Sequence, residues 1–571
     1  MVFFFDLDFD LGWLDLAKDM LTMQLAVRMS FGPKVLMIPA TYRAVNSKHL
    51  VSFRLKDTNR ELTATPASTL DLFVVLEVVG EADSDEALES GAAIFDGVTG
   101  GEVGSVPGIH LPGKMRNHNF AALFLTVALC IVLPHFLGGL VMATCTKDRT
   151  EHWGYVQVRP RAHMFWWHYK SPYRIHNPKK PWPIILWLQG GPGGSGTGIG
   201  NFGEMGPLDR HLNKRNFTWL RKADLLFVDN PVGTGYSFVE DKELLVTTDE
   251  ESARDLTTLL IKLFNRNRTL QRSPLYIVAQ SYGGKTAVTL GISALKAIKA
   301  GRLKLTLGGI ALGNSWISPV DFVATWAPLL KDLSRIDNSG LKNSTRLVEK
   351  IKQQMADGQM KEATKTWGDL EQVIMETSNY VDFYNFMRDS GSKPVSMTTN
   401  ELSRKTIMNT YSKNVESARV LPGLVEDLSS LMNGDIKKKL KIPKDVKWGG
   451  QSSLVFDSMS GDFMSPRINE VDELLNAGVH VTVYSGQVDL ICSTKGAEAW
   501  VEKLKWKGLK TFLNMDRTPM FCGDDMETKA FTKSYKNFHF YWILKAGHFV
   551  PRDQPCVAFD MIGNITQSPV R

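Results

Sequence analysis

The stretch "PLYIVAQSYGGKTAVTL", residues Pro274 to Leu290, decides the fold of this chain. It opens with apolar and β-prone residues, passes through a turn with two adjacent glycines, and leaves the turn in a helical pattern. One interpretation is a phosphate-binding loop in which Lys285 holds a nucleotide. The other is a nucleophile elbow, in which a sharp strand-to-helix turn exposes Ser281 at a sheet edge. Both interpretations require strand, turn and helix, so the rest of the chain must decide between them.

The nucleotide interpretation lacks its partners. A phosphate-binding loop needs a later strand that ends in Asp to organise Mg²⁺. The next buried strand ends at Asn314, whereas Asp229 precedes the loop, and the first loop position is Ala279 instead of Gly. We therefore favour the nucleophile elbow, and we expect neither a cofactor nor a metal ion.

The interpretation of Ser281 as a nucleophile finds its partners. A nucleophilic serine needs a base, a carboxylate that orients the base, and donors for an oxyanion. Asp489 and His548 each follow a late strand, in the chain order that this architecture requires. The loop "WLQGGPGGSG", Trp187 to Gly196, follows an earlier strand, and its glycines allow a backbone amide to face the oxyanion. The second donor would be the amide of Tyr282.

Strand-like runs alternate with helical stretches over most of the chain, which predicts an α/β fold with a mostly parallel central sheet. One helix begins with Thr248 and Glu251 at capping-box spacing. Residues from about 316 to 450 carry Lys, Glu, Met and Leu at helical spacing, which predicts a helical insertion that caps the carboxyl edge of the sheet. The strand-like runs are Pro183–Gln189, Asp224–Asn230, Leu275–Gln280, Leu307–Gly313, Val479–Gly486 and Phe538–Gly547.

The composition is that of an ordinary globular protein. Of the 571 residues, 43% are hydrophobic and 22% are charged, and 67 basic against 60 acidic residues give a net charge of +7. This charge is too balanced to predict binding to nucleic acid.

An uncharged, apolar run over residues 120–133 follows Lys114 and Arg116 and precedes small residues. This pattern predicts a signal peptide over residues 115–143, and an uncleaved signal anchor in the membrane is the alternative. The exported domain would then be residues 144–571. Residues 1–114 form an unassigned extension without a chemical motif, and we hypothesise that Met115 is the functional start.

Two further features suit the lumen of the secretory pathway. Four N-glycosylation sequons follow the apolar run and none precedes it. Four cysteines also follow the run, which permits three full disulfide pairings, with Cys492–Cys522 as one candidate. We therefore expect a glycoprotein that is secreted or resides in the vacuolar or lysosomal lumen. The sequon residues are Asn216, Asn267, Asn343 and Asn564, and the remaining cysteines are Cys145 and Cys556.

Together these segments resemble the serine carboxypeptidases, most closely the plant branch related to retinoid-inducible serine carboxypeptidase. The resemblance covers about Trp153 to Thr566 and implies an α/β-hydrolase fold with a helical insertion. It also implies a peptide substrate with a free C-terminus, hydrolysed through an acyl-enzyme on Ser281. The motifs that carry it are "WLQGGPGGSGTGIGNFGEMGPLD", "LLFVDNPVGTGYSF", "QSYGGK", "GNSWISPVD", "VYSGQVDLI" and "KSYKNFHFYWILKAGHFVPRDQP".

The resemblance also implies roles for individual residues. Ser281, His548 and Asp489 would form the catalytic triad. The amides of Gly191 and Tyr282 would form the oxyanion hole. Residues that would bind the substrate carboxylate are Trp187, Gln189, Gly190, Glu204 and Gln280.

Two positions depart from the family pattern. The family normally has a Glu before the nucleophile, which can donate to a substrate carboxylate only when protonated. Gln280 keeps a donor at any pH, so we expect peptide binding to persist towards neutral pH. Asn314 replaces a second family carboxyl. With these changes, an acyltransferase on the same scaffold and a weakly active or non-catalytic lumenal homologue stay as alternatives to a carboxypeptidase.

Overall fold

The computed structural model describes residues 142–146, 150–177, 179–390, 428–524 and 526–569, together with five strands between residues 23 and 75. The chain divides into two compact units, Met1–Asn119 and Phe120–Arg571. Residues 115–141, which contain most of the predicted signal segment, lie outside the described ranges. Within those ranges, no helix has the length and apolar character that crossing a membrane requires.

The first unit contains a five-stranded antiparallel sheet, in a region for which the sequence offered no interpretation. Across this sheet the strands lie in the order β4, β3, β2, β1, β5. They are β1 (Met23–Phe31), β2 (Lys34–Tyr42), β3 (Ser52–Arg54), β4 (Glu61–Leu62) and β5 (Phe73–Val75).

The second unit is built on a twelve-stranded mixed sheet. The order across it is β15, β16, β17, β14, β13, β12, β9, β10, β8, β7, β6, with β11 paired to β8. Its strands are β6 (Met142–Cys145), β7 (Glu151–Arg159), β8 (Ala162–Tyr169), β9 (Ile184–Leu188), β10 (Asp224–Val228), β11 (Phe238–Val239), β12 (Leu275–Ser281), β13 (Leu307–Ser315), β14 (Val481–Gly486), β15 (Thr518–Met520), β16 (Ala530–Tyr535) and β17 (Phe538–Ile543).

The six strands from β17 to β10 pair in parallel and form the middle of the sheet. All residues of β9, β10 and β14 are buried, as are all but the last residue of β12. Such continuous apolar runs are typical of a sheet covered by helices on both faces. The predicted α/β fold with a mostly parallel sheet is therefore confirmed, with antiparallel strands added at both edges.

Helices pack on the sheet and connect its parallel strands. The first is α1 (Asp249–Phe264), where the Thr248 hydroxyl accepts from the Glu251 amide at 3.3 Å. The others are α2 (Arg268–Gln271), α3 (Gly283–Lys299), α4 (Pro319–Asp332), α5 (Asn338–Ala356), α6 (Met360–Thr377), α7 (Lys437–Leu440), α8 (Ser453–Met459), α9 (Ile468–Asn476), α10 (Thr494–Val501), α11 (Leu509–Leu513), α12 (Val550–Asp553) and α13 (Pro555–Ile565).

The long segment between β13 and β14 contains the predicted helical insertion. Helices α4, α5 and α6 follow β13 directly, and residues 391–427 of the segment lie outside the described ranges. Trp326 of α4 and Trp367 of α6 are almost completely buried in the main hydrophobic core. The apolar faces of these helices therefore pack into the core of the hydrolase unit.

The candidate disulfide Cys492–Cys522 is wrong. Cys522 instead pairs with Cys556, and their Cα atoms are 6.0 Å apart. Cys492 is a buried free thiol and Cys145 is an exposed one. Sequence spacing could not choose between the pairings, because the partners are set by how the strand edge meets the last helix.

Candidate active site

Ser281 lies at the turn between β12 and α3, in a backbone conformation that residues other than glycine rarely adopt. Its φ is +58°, and its carbonyl oxygen accepts from the Trp316 amide at 2.9 Å. The two glycines that follow allow close packing: a Cβ at Gly283 would lie 2.4 Å from the Leu188 carbonyl oxygen, and one at Gly284 would lie 2.3 Å from the Ser315 side chain. The elbow is thus a tight turn that presents Ser281 at the carboxyl edge of the sheet.

Asp489 and His548 lie together beside this edge. The His548 Nδ1 and the Asp489 Oδ2 are 2.8 Å apart, and both side chains are almost fully buried. The Asn314 Nδ2 donates to the same carboxylate oxygen at 2.6 Å, while the Asn314 Oδ1 accepts from the Gly486 amide. A carboxylate held in this way can orient the imidazole and fix which of its nitrogens faces Ser281.

The order of the strands explains why residues so distant in sequence meet. His548 follows β17, Asp489 follows β14, and Ser281 ends β12, and these strands lie within one parallel run of the sheet. Parallel strands present their carboxyl ends at the same edge, where such folds bind ligands. Ser281 and His548 accordingly line one pocket, together with Gly190, Gly191 and Gln280.

The Gly-rich loop after β9 approaches the nucleophile closely. A Cβ at Gly190 would lie 2.5 Å from the Ser281 Cβ, and Gly191 has a φ of +119°. Asp229, at the end of β10, secures this loop by accepting from the Ser195 hydroxyl and the Thr197 amide at 2.7 and 3.0 Å. The sequence suggested for Asp229 only a role in nucleotide binding, and no motif marks this anchoring contact.

The residues expected to bind a substrate carboxylate form one buried hydrogen-bond chain. The Trp187 indole donates to Gln189, whose amide nitrogen donates to the Gln280 oxygen at 2.5 Å and to Glu204. The Gln280 amide nitrogen donates to Glu204 at 3.0 Å and to the His548 carbonyl oxygen at 2.9 Å. Gln189 and Gln280 line the pocket, whereas Glu204 is buried behind them.

This hydrogen-bond chain changes the expected role of Gln280. An amide nitrogen carries two hydrogens, and Gln280 uses both on partners within the protein. The His548 carbonyl can only accept, so it fixes which end of the amide faces it. Gln280 therefore acts on the pocket through Glu204 and His548 in this arrangement, and a direct bond to a substrate would replace one of these contacts.

Glu204 is the titratable group of this hydrogen-bond chain. Burial raises the pKa of its carboxyl to about 8, although the Arg552 guanidinium and the amides of Gln189 and Gln280 favour the ionised form. The carboxyl is therefore neutral in acidic and neutral solution. Among the residues expected to meet a substrate carboxylate, only Glu204 can change charge.

The sequence did not identify two pocket residues, because both come from the long segment between β13 and β14. Tyr384 lines the pocket, its ring lies 5.0 Å from the His548 ring, and its carbonyl accepts from the His548 amide. Gln451 also lines the pocket, and its amide donates to the Pro192 carbonyl oxygen at 2.7 Å. No sequence motif marks either residue, because their places depend on how the insertion folds back over the Gly-rich loop.

One group of side chains could in principle hold a metal ion. Ligand atoms of Asp489, Cys492 and His548 lie within 4.8 Å of one another among the described residues. Burial, with the Asp489 carboxylate beside it, raises the pKa of the Cys492 thiol and disfavours the thiolate that a metal needs. The His548 Nδ1 already bonds to the Asp489 carboxylate. The group is better suited to proton transfer than to metal binding.

A parallel sheet with a serine elbow, a His–Asp pair on later loops and a glycine-rich loop beside the serine defines an α/β hydrolase. The sequence pattern of the serine carboxypeptidase family, peptidase family S10, matches residues 142–568. The chain belongs to this family.

Individual relatives agree with this assignment. Serine carboxypeptidase-like 51 of Arabidopsis thaliana is 59% identical over 451 residues, which cover 78% of this chain and 98% of that protein. Retinoid-inducible serine carboxypeptidase of Mus musculus is 45% identical over 450 residues, or 77% of this chain and 98% of the relative. A prohormone-processing carboxypeptidase from Saccharomyces cerevisiae shares the fold, with a TM-score of 0.61 at 22% identity over 73% of this chain and 91% of that one.

Proposed function

We propose that this protein is a serine-type carboxypeptidase that releases C-terminal residues from peptides through an acyl-enzyme on Ser281. The single observation that carries the proposal is the convergence of residues from distant parts of the sequence at one pocket. The imidazole of His548 bonds to the Asp489 carboxylate and lines the same pocket as Ser281. This arrangement supplies a nucleophile, a base and the group that orients the base.

In the first half-reaction, the Ser281 hydroxyl attacks the carbonyl carbon of the last peptide bond while His548 accepts the hydroxyl proton. The amides of Gly191 and Tyr282 would stabilise the resulting oxyanion. When the C–N bond breaks, His548 returns the proton to the departing amine, and the C-terminal amino acid leaves. The rest of the peptide remains as an ester on Ser281.

In the second half-reaction, water attacks this ester and gives its proton to His548, which passes a proton back to the Ser281 oxygen as the ester bond breaks. The shortened peptide leaves with a new C-terminal carboxyl group, and the enzyme is restored. No cofactor is needed, because every proton and electron pair is exchanged between the protein, the peptide and water.

A carboxypeptidase must also recognise the free carboxylate of its substrate. Gly190, Gln189 and Gln280 lie on the pocket wall beside Ser281. Trp187 and Glu204 support them from behind through hydrogen bonds. We assign these five residues to recognition of the terminal carboxylate, with Glu204 setting the charge of the site.

The test is to label the purified protein with a fluorophosphonate, map the adduct, and measure amino acid release from N-blocked dipeptides. We expect an adduct on Ser281, release of the C-terminal residue, and loss of both in Ser281→Ala. A dipeptide with an amidated C-terminus is the matched control and should be a much poorer substrate. Labelling without release, combined with acyl transfer from a sugar ester, would identify an acyltransferase instead. Absence of labelling would identify a non-catalytic homologue.

We further propose that the protein acts in the secretory pathway, as a secreted, vacuolar or lysosomal glycoprotein. The four sequon asparagines are all exposed, as an oligosaccharide acceptor must be. The disulfide Cys522–Cys556 also suits an oxidising compartment. The sequon asparagines are Asn216, Asn267, Asn343 and Asn564.

A further inference from the structure

Lys285, the residue on which the nucleotide interpretation rested, is buried four residues after the reacting serine and has no role in the reaction steps above. It lies in the first turn of α3, and its side chain has no exposed surface. Its ammonium donates to the carbonyl oxygens of Asp462 at 2.5 Å and Phe463 at 3.2 Å, and lies 3.4 Å from the Asp249 carboxylate. A buried ammonium is costly unless it is paired and hydrogen-bonded, and this one is both.

Three further side chains complete an elbow charge cluster, which consists of Lys285, Asp249, Asp462 and Arg467. The Arg467 guanidinium donates to Asp249 at 3.0 Å and to Asp462 at 2.7 Å. The Asp249 amide donates to the Asp462 carboxylate at 2.8 Å. The cluster lies where three segments meet: the start of α1, the start of α3 and the loop between α8 and α9. Arg467 also pairs with Glu250 at 2.6 Å and Glu470 at 3.3 Å at the edge of the cluster.

Tyr282 links this cluster to the catalytic serine. The Lys285 ammonium lies 4.6 Å from the centroid of the Tyr282 ring and 3.4 Å from the Tyr282 hydroxyl. The Phe463 ring stacks on the Tyr282 ring at 5.7 Å with an angle of 6° between the planes. Tyr282 is 2% exposed, so its ring is held firmly, and the backbone amide of the same residue is the proposed second oxyanion donor.

We propose that Lys285 is a positioning residue that fixes the Tyr282 amide in the oxyanion hole. The inference rests on the proposed function, which assigns that amide to the oxyanion. The ammonium contacts the Tyr282 ring and at the same time binds the carbonyls of the loop between α8 and α9. These contacts therefore fix the positions of the loop, the Tyr282 ring and the elbow relative to one another. A displacement of about 1 Å at such a site costs on the order of 100-fold in rate.

A positioning role differs measurably from a purely structural one. Loss of a contact that only stabilises the fold lowers the free energy of unfolding and leaves kcat unchanged at temperatures where the protein is folded. Loss of oxyanion positioning lowers kcat with little change in KM, because the oxyanion forms only in the transition state.

The experiment compares three variants with the wild-type protein. Lys285→Met removes the ammonium. The double variant Lys285→Met/Asp249→Asn removes one cation and one carboxylate, so the net charge of the cluster is unchanged and the Asp249 carboxylate is not left without the Lys285 ammonium. Arg174→Met is the matched control, because it breaks an ion pair with the buried Asp224 at the amino end of β10, away from the catalytic edge. For each protein, kcat and KM for an N-blocked dipeptide, the rate of fluorophosphonate labelling of Ser281, and the thermal midpoint are measured.

We expect both Lys285 variants to lose about 10- to 100-fold in kcat and in labelling rate, with KM changed by less than about threefold. The double variant should regain much of the thermal midpoint that Lys285→Met loses. Arg174→Met should lower the thermal midpoint and leave kcat and the labelling rate unchanged. The inference is overturned if the double variant recovers kcat and labelling rate along with its midpoint. It is equally overturned if Lys285→Met keeps the wild-type labelling rate.

Failure of the proposed function would look different. In that case the wild-type protein itself would release no C-terminal residue. The labelling rates would still decide the role of Lys285, because the fluorophosphonate reacts with Ser281 without a peptide and also depends on the oxyanion hole.

Discussion

Asn314 and Gln280 are amides at the two positions where the family resemblance leads us to expect carboxyl groups, and each donates to an acidic partner. Asn314 donates to the Asp489 carboxylate, and Gln280 donates to Glu204. A carboxyl can make such a bond only while it keeps its proton, whereas an amide donates at every pH. Both amides therefore keep the hydrogen bond and make it independent of pH.

The pH dependence of substrate binding is expected to follow Glu204. Its pKa of about 8 lies above the ordinary carboxyl value, so the group is neutral below that pH and becomes negative as the pH rises through it. The negative charge then repels the substrate carboxylate, and we expect KM for a blocked dipeptide to rise about 10-fold between pH 7 and 9. Steady-state kinetics from pH 5 to 9 measure this change.

Two variants at the same site provide the controls. Glu204→Gln cannot ionise, so its KM should stay flat through pH 8, and a wild-type-like rise in this variant would contradict the assignment. Gln280→Glu places a second carboxyl beside Glu204. Two adjacent carboxyls ionise in separate steps, the first of them at acidic pH, so the rise in KM should begin well below pH 7.

Removing the Asn314 amide should impair catalysis more than folding. In Asn314→Ala the Asp489 Oδ2 loses a donor at 2.6 Å, and the carboxylate is less firmly oriented towards His548. A hydrogen bond to a charged group contributes about 1.5–3 kcal/mol, so we expect kcat to fall about 10- to 100-fold. Asn537→Ala is the control, because the Asn537 amide precedes the amino end of β17 and donates two bonds to neutral backbone carbonyls, those of Leu475 and Val479. An equal loss of kcat in both variants would contradict a specific role for Asn314.

At the scale of secondary structure elements, the elbow depends on how closely α3 packs against its neighbours. A Cβ at Gly284 would lie 2.3 Å from the Ser315 Cβ and Oγ, so Gly284→Ala must push α3 away from the end of β13. We expect this overpacking to cost about 1–3 kcal/mol of stability and to reduce the labelling of Ser281 by a fluorophosphonate. Gly461→Ala adds a Cβ in open space and should change neither quantity. Normal labelling of Gly284→Ala would show that the packing is not critical.

The disulfide Cys522–Cys556 joins the end of β15 to α13 and encloses the loop that carries His548. The sequence separation of 34 residues predicts a contribution of about 3–4 kcal/mol through the reduced entropy of the unfolded chain. We expect the free energy of unfolding of Cys522→Ser/Cys556→Ser, measured by denaturant titration, to fall by that amount. Cys145→Ser removes an exposed free thiol and should leave the unfolding curve unchanged. Equal stability of the double variant would contradict a structural role for the bond.

The central elements were predictable from sequence because their signals are local. The runs Leu275–Gln280 and Val479–Gly486 are rich in apolar and β-branched residues, and they correspond to the buried strands β12 and β14. The contributions of Tyr384 and Gln451 were not predictable. They depend on long-range packing of the insertion over the Gly-rich loop, for which the sequence offers no period or motif.

For the whole molecule, the parallel middle of the sheet accounts for the order of the site. Strands β17, β14, β13, β12 and β9 are neighbours in space. At or just beyond their carboxyl ends lie, in turn, His548, Asp489, Asn314, Ser281 and the Gly-rich loop. Each strand contributes one chemical function at a common edge, so no loop has to reach across the molecule. The chain order alone could suggest a triad, but the direct contact of Asn314 with Asp489 follows only from the adjacency of β13 and β14.

The mature protein is expected to consist of the residues that follow the apolar run. The family pattern begins at residue 142, and the described residues of the hydrolase unit form a core, a sheet and a pocket. We therefore propose that the mature protein does not need residues 1–114. A chain that starts at Met115, expressed in a eukaryotic host, should be exported, cleaved within residues 134–146 and glycosylated at exposed sequons. N-terminal sequencing and the loss of mass on enzymatic deglycosylation measure these outcomes, and Asn343→Gln, at an exposed position on α5, should remove one glycan without loss of activity. A secreted, active protein that retains residues 1–113 at its amino terminus would contradict the hypothesis.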